Sequence, residues 1–471
     1  MIQAVTPSTQ YPGSLDYLNS RDALAFSRGG ASQSQLISIC FAERPTDDAA
    51  SVLEQVRKRV RVRAPLIPRL MQRIVATPWG VAPPAWFDAE LFDIDYHVQS
   101  RQVLGGGIPE LMHVIESVMG PLDLRRPPWR IYVVEGFDDG KWAFIVQVHH
   151  AVGDGAACIA LFGAVLLDLD FAVPSEATRS KVFAPPKLRL VAPGLAWRGR
   201  GVVHKTKHAL RVISSPSRVR AAVHDVRRLT NLLRRESRQP YTPTGINVPA
   251  TGDWVCRLTT RPLDEVRALA RSNPGATVNT VYLSAVARGI ETALKTAGMP
   301  LQAPLKIGVP KNLRQDTDRV FVDSSTQTGN LVVTAPLGQD DPSEVLTAIT
   351  DRLRHALDSD EPGIRAMLGK GGAVQKWPLK WNVTATLVHG PPFAPDSLGG
   401  RVERWLLTAL PGGTKGLGLI AMAYDGILTI FVVADRSLAA TADGVCEGMQ
   451  AYFNDLATAV GHGAEPLMDV V

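Results

Sequence analysis

The sequence predicts an α/β protein of two halves, each with mixed sheets and flanking helices, joined by a basic helical crossover. Three observations carry this. The chain has 471 residues, more than one ordinary core supports. Helical and strand periodicities alternate on both sides of a middle stretch, the mark of packed α/β layers. That middle stretch also differs in charge. Residues 179–238 hold sixteen Lys or Arg against two acids, a local net of +14 in a chain whose total is +6, so the remainder carries about −8. The expected parts are residues 1–178, a crossover over 179–243, and residues 244–471.

In the first half, residues 47–61 place Ala50, Val52, Leu53, Val56 and Val60 on a helical stripe, and residues 111–119 repeat it with Leu111, Val114, Ile115 and Val118. Residues 129–136 and 142–149 are β-rich runs joined by Phe137-Asp138-Asp139-Gly140-Lys141, a hairpin signature. Residues 156–169, apolar and without Pro, predict a buried helix. The crossover keeps helical apolar spacing over 204–213 and 219–235 despite its charge. Beyond it, strands are expected at 254–259, 305–310, 330–335, 401–410, 417–424 and 426–433. Helices are expected at 263–272, 278–297 and 440–457.

Composition narrows the class. A hydrophobic fraction of 45% and a charged fraction of 20% describe a folded globular chain. Cys40, Cys158, Cys256 and Cys446 form no CxxC pair and read as small buried hydrophobes of a reducing compartment. Residues 1–16 lack a secretory pattern, and the longest apolar runs fall short of the roughly 20 residues a spanning helix needs. The expected location is cytoplasmic, with contact to the inner membrane face or lipid droplets only from outside. The basic crossover is either a solvated linker or a surface for anionic lipid headgroups or phosphates. Nucleic acid fits poorly, because no aromatic interleaving accompanies the charge.

The chemistry concentrates at His149-His150-Ala151-Val152-Gly153-Asp154-Gly155, where a strand meets a helix. Adjacent residues on an extended chain point to opposite faces, so one histidine can enter a cleft while the other packs inward. A neutral imidazole is suited to take a proton from an alcohol near neutral pH. Gly153 and Gly155 are expected to permit a tight turn with left-handed backbone, and Asp154 to brace the loop. A metal site would need a third converging ligand, which opposite strand faces oppose, so none is expected.

With these residues in place, the chain resembles the bacterial wax ester synthase/acyl-CoA:diacylglycerol acyltransferase family, within the chloramphenicol-acetyltransferase-like superfamily. The HHxxxDG signature stands as His149, His150, Asp154 and Gly155. Pro121-Leu122-Asp123 through Arg126-Pro127-Pro128-Trp129 resembles the family's PLD…RPLW stretch, with Pro128 where Leu is usual. Phe92-Asp93-Ile94-Asp95-Tyr96-His97-Val98 resembles its FDxxYHV segment. Later matches are Pro262-Leu263-Asp264-Glu265-Val266, Gly275-Ala276-Thr277-Val278-Asn279, Gly329-Asn330 and Ala434-Asp435-Arg436.

The resemblance implies two chloramphenicol-acetyltransferase-like halves and an O-acyltransferase without cofactor, using acyl-CoA as co-substrate and diacylglycerol or another lipid alcohol as acceptor. It implies His150 as general base, with His149, Asp154 and Gly155 shaping the loop. Asn279, Gly329, Asn330 and His389 would lie along the substrate path. Trp129 would be structural, and Arg314 would pair with Asp154 from the second half. Two departures stand out. The family's Asn-Asp pair is Asn279-Thr280 here, and its Asn-Val-Pro-Gly-Pro turn is Leu387-Val388-His389-Gly390-Pro391. They keep open a weakly active or inactive relative that binds acyl-CoA or lipid, and a transferase for another alcohol, giving a wax ester or polyketide ester.

Overall fold

The computed structural model describes residues 15–28, 33–46, 50–169, 181–238, 241–314, 321, 324–359, 361 and 380–461. Helix α1 (Ser20–Ser27) leads into strand β1 (Gln35–Ala42), α2 (Val52–Arg63), the ribbon β2 (Gln72–Val75) and β3 (Ala85–Asp88), and the short α3 (Ile94–His97). Then come β4 (Val98–Gln102), α4 (Ile108–Val118), β5 (Trp129–Glu135), β6 (Trp142–His149) and α5 (Gly155–Leu166). The crossover forms α6 (Val191–Ile213) and α7 (Pro216–Arg238). The second half runs β7 (Trp254–Pro262), α8 (Leu263–Arg271), α9 (Val278–Thr296), β8 (Lys306–Asn312), β9 (Thr328–Thr334) and α10 (Pro342–Asp358). It finishes with β10 (Val383–His389), β11 (Asp396–Ser397), β12 (Gly400–Ala409), β13 (Leu417–Tyr424), β14 (Ile427–Asp435) and α11 (Ala439–Ala459).

Among the described residues these strands form two six-stranded mixed sheets, ordered β11-β12-β1-β6-β5-β4 and β7-β14-β13-β10-β8-β9. The α/β class with mixed sheets is as the sequence implied. The boundary near residue 244 needs amending, because β11 and β12 lie in the sheet of the first half. There β12 pairs antiparallel with β1, with Leu36 opposite Ala409. A strand that crosses over in this way ties the halves together by main-chain hydrogen bonds, and no local pattern announces it.

The core follows the same plan. α8, α9, α10 and α11 cover one face of the second sheet, with Tyr282, Ile290 and Phe453 fully buried. The other face of that sheet sends Trp254, Phe431 and Val433 against Ile39, Tyr132 and Ile145 of the first. β13 contributes Ile420, Met422 and Tyr424 to the apolar layer beneath α5. The His149–Gly155 motif therefore stands at a seam, with both sheets beside it.

The expected hairpin closes between β5 and β6, with Gly140 donating to the Phe137 carbonyl at a φ of 71°. α6 begins at Val191, well before the expected residue 204, running through Pro193, Gly194, Gly199 and Gly201. Pro193 falls in the first turn, where a missing N–H costs nothing. Gly194 lies so close to Val81 that an added Cβ would come within 2.8 Å of its methyl group, and Trp197 packs on Tyr17. Tertiary contact thus extends this helix past its unfavourable glycines.

Candidate active site

β6 is buried along its whole length and delivers the two histidines differently. His149, its last residue, is fully buried; its Nδ1 accepts the Ala151 N–H at 3.1 Å. Burial, reinforced by the charge of His150, holds its pKa down at about 3, so it is neutral at any physiological pH. His150 follows in the turn, half-buried, its N–H donating to the Ser34 carbonyl at 2.9 Å. Burial lowers the His150 pKa; its own carbonyl and Asp154 pull it upward, and Arg28 and Arg21 push it down. The outcome is a neutral imidazole poised to accept a proton.

Asp154 is buried and occupies the N-cap of α5. Oδ1 accepts the Ala157 N–H at 3.0 Å, which satisfies one orphan donor of the helix. Oδ2 accepts the Gln327 N–H at 3.0 Å and faces Arg314 Nη2 at 3.4 Å. Arg314 also donates to the Ser325 carbonyl at 3.0 Å. A carboxylate of the first half is thereby held by two donors of the second.

The glycines act differently from the expectation of left-handed backbone, since neither Gly153 nor Gly155 has a positive φ. Gly153 is needed for close approach: a Cβ there would lie 2.6 Å from the Ser324 carbonyl oxygen and 2.7 Å from Ala157 Cβ. At Gly155 it would only touch a Leu407 methyl at 3.4 Å.

Residues 324–328 form the matching surface. Ser324 Oγ donates to the Val152 carbonyl at 2.5 Å, and the Thr326 N–H donates to Asp22 Oδ2 at 3.2 Å. Arg21 Nη1 donates to Thr328 Oγ1 at 3.0 Å. Asp22 and Arg21 belong to α1, where Asn19 caps the helix by accepting both their N–H groups. Sequence reasoning missed them; the Asn19 cap signals a helix but nothing about its partner. Asp22 is almost wholly buried, and burial raises its pKa to about 7 with Asp154 adding in the same direction, against hydrogen bonds from Thr326.

The other anticipated residues divide. Trp129 is fully buried at the start of β5, its Nε1 donating to the Leu70 carbonyl at 2.8 Å. It packs between His97, at 4.3 Å between ring centres, and Phe162 of α5. His97 Nδ1 in turn bonds the Trp129 carbonyl at 2.9 Å. The two upstream motifs thus interlock as scaffold beneath α5. Gly329 and Asn330 lie on β9 opposite Lys311 and Pro310, two and three residues past Gln327. Asn279 stands in the first turn of α9, its Oδ1 buried without a partner among the described residues. Thr280 takes over the capping role of the missing Asp, its Oγ1 accepting the Thr277 N–H at 2.8 Å, so the helix start loses a charge but stays satisfied.

His389 lies on β10. It is exposed at the C-terminal end of β10, beside Ala423. The adjoining Tyr424 donates to the Val402 carbonyl, Val402 pairs with Ala42, and Ala42 pairs with Trp142. His389 is therefore level with the start of β6, whereas His150 follows its end, about 20 Å away along an extended strand. It does not share the junction of the motif. Among the described residues no group of three or more His, Cys, Asp or Glu could hold a metal ion.

The model of the wax ester synthase/diacylglycerol acyltransferase catalytic domain matches residues 18–282. A Mycobacterium tuberculosis protein named as a diacylglycerol O-acyltransferase is 26% identical over 478 residues, covering 95% of this chain and 98% of that protein. The wax ester synthase/diacylglycerol acyltransferase from Marinobacter aquaeolei VT8 superposes with a TM-score of 0.65 at 16% identity, over 94% of this chain and 100% of its own. The first condensation domain of the CDA synthetase has the same fold, with a TM-score of 0.61 at 16% identity over 98% and 100%. The match spans α1, the motif and the start of α9, so the chain belongs to the wax ester synthase/diacylglycerol acyltransferase family of O-acyltransferases.

Proposed function

We propose that this protein moves a fatty acyl group from acyl-CoA to the hydroxyl of a lipid alcohol, with diacylglycerol as acceptor and triacylglycerol as product. One observation carries the reading: His150, neutral and half-buried, sits on a loop whose Asp154 is gripped by Arg314 and Gln327 from the other half. A binding protein has no need of a base so placed.

The His150 imidazole removes the proton from the acceptor hydroxyl as its oxygen attacks the thioester carbonyl. The tetrahedral intermediate collapses with cleavage of the C–S bond, and the departing thiolate takes the proton from the imidazolium. Ester and free coenzyme A result, with no acyl-enzyme and no further reactant. His149, Asp154 and Gly155 hold the loop, Arg314 orients Asp154, and Trp129 supports α5 from below. Asn279, Gly329 and Asn330 line the path of the substrates.

The acceptor comes from a membrane or droplet surface. No helix of the described residues is long and apolar enough to cross a membrane. α6 and α7 instead expose Leu195, Val202, Val203, Leu210, Ile213 and Val226 among their basic residues, the composition of an interfacial surface for anionic lipid. Purified protein given labelled acyl-CoA with diacylglycerol, a fatty alcohol or no acceptor tests the reading. Labelled triacylglycerol is expected; absence of ester with either acceptor would refute it.

A further inference from the structure

The segment that meets the His149–Gly155 motif reads Ser324-Ser325-Thr326-Gln327-Thr328. It carries no aliphatic or aromatic side chain with which to anchor itself in a core. Its first four residues end the connection from β8 to β9, residues 313–327. A connection of that length takes one conformation only where contacts repay its entropy. Polar contacts therefore have to place it, and two of its peptide groups show how.

A peptide unit is a rigid plane, so holding its carbonyl also fixes its N–H. The plane between Ser325 and Thr326 is held at both edges. Arg314 Nη2 donates to the Ser325 carbonyl at 3.0 Å, and the Thr326 N–H donates to Asp22 Oδ2 at 3.2 Å. The next plane is held in the same way. Asn19 Nδ2 donates to the Thr326 carbonyl at 3.3 Å, and the Gln327 N–H donates to Asp154 Oδ2 at 3.0 Å. Each plane thus has a side chain of α1 on one edge and a member of the Arg314–Asp154 pair on the other.

Asn19 does more here than a helix cap requires. Its Oδ1 accepts the Arg21 and Asp22 N–H groups, each at 2.9 Å, and an oxygen alone is enough for that. The amide nitrogen adds the bond to Thr326. Asp22 is only 2% exposed, so water does not compete for its contact.

We propose that Asn19 and Asp22 are positioning residues for the acyl transfer. They fix the two peptide planes between Ser325 and Gln327, which keeps the Gln327 N–H on Asp154 and holds the His150 loop in register. The proposal rests on His150 being the base. α1 then acts on the reaction through Thr326 and Gln327 rather than on the substrate.

The test uses the full chain as wild type, Asn19→Ser, Asp22→Ala, Asp22→Asn and Ser27→Ala. Ser27 lies on the exposed end of the same helix and serves as control. Asn19→Ser keeps an oxygen for the cap and is too short to donate to Thr326. With labelled acyl-CoA and diacylglycerol, Asn19→Ser and Asp22→Ala should each lower kcat by about tenfold or more. The KM for acyl-CoA should stay within about twofold of wild type. Asp22→Asn, which still accepts the Thr326 N–H, should recover most of the Asp22→Ala loss. Amide hydrogen exchange followed by mass spectrometry should quicken over 149–157 and 324–328 in the two damaging variants. Wild-type kcat in both would overturn the proposal, as would an equal fall in Ser27→Ala. Lost kcat with faster exchange confined to α1 would also overturn it, because fraying of the helix would then be the cause. If wild type forms no ester with any acceptor, the proposed function fails, and exchange over 149–157 still decides whether α1 holds the loop.

Discussion

Arg314 and Asp154 face each other at 3.4 Å across the two halves, each side chain only 3–4% exposed. Removing one partner of such a pair strands the other charge in a dry site, at a cost of about 3–5 kcal/mol. Arg314→Ala is expected to lower the melting temperature and to reduce kcat by about 10- to 100-fold through displacement of the loop. Arg314→Lys should recover stability better than activity, because the shorter lysine keeps the charge but lacks the planar guanidinium that orients the Asp154 carboxylate. Wild-type kcat in Arg314→Ala would remove it from the positioning of the site.

His150 and His149 should separate by kind of damage. His150→Ala is expected to cost about 10²–10⁴-fold or more in kcat with an unchanged thermal melt, since a general base is lost from a half-exposed turn. His149→Ala opens a cavity and frees the Ala151 N–H, so its smaller loss should come with a lower melting temperature. Equal losses at equal stability would reverse the assignment.

The pH profile should show its acid limb below the ordinary histidine range near 6.5, because burial lowers the His150 pKa. The base stays available as pH falls through 6.5 and is lost only when the lowered pKa is crossed. A limb in kcat/KM centred above 6.5 would contradict this.

Asp22 has the opposite sign. Its pKa is raised to about 7 by burial, so the folded state favours the protonated acid. Stability is kept at low pH and lost as pH rises from the unfolded carboxyl range to about 7. Asp22→Asn, still an acceptor for Thr326, should therefore raise the melting temperature at pH 8 and change it little at pH 5. The difference is on the order of 2–4 kcal/mol. Equal shifts at the two pH values would refute it.

Gly153→Ala would drive a methyl into the Ser324 carbonyl, with backbone on both sides of the clash. About 1–3 kcal/mol of destabilisation is expected, together with a fall in kcat, whereas Gly155→Ala should be milder. The reverse order in paired melts and assays would mean that Gly155 is the tighter position.

Much of this was legible in the chain itself. The β5–β6 hairpin, α5, α9, β13 and α11 announce themselves by period and turn chemistry, because each buries a face that local residues define. The strand-to-helix placement of His149, His150 and Asp154 was equally local. β1 was not legible. Gln35–Ala42 is buried throughout, and a short apolar run of that kind has no distinguishing period. Nor was β12's place in the far sheet, since register is chosen by partners. The early start of α6, the near approach at Gly153, and the distance of His389 from His150 are likewise properties of packing.

By itself, the sequence determined the elements and the chemical group, since helix and strand periods and an imidazole beside a capping carboxylate depend on near neighbours. Only the tertiary structure decided what surrounds that group. Asp22 and Arg21 in α1, Arg314 beyond β8 and residues 324–328 lie far apart along the chain, and they meet because two sheets share a seam. The charges and burial that set the His150 pKa come from that meeting.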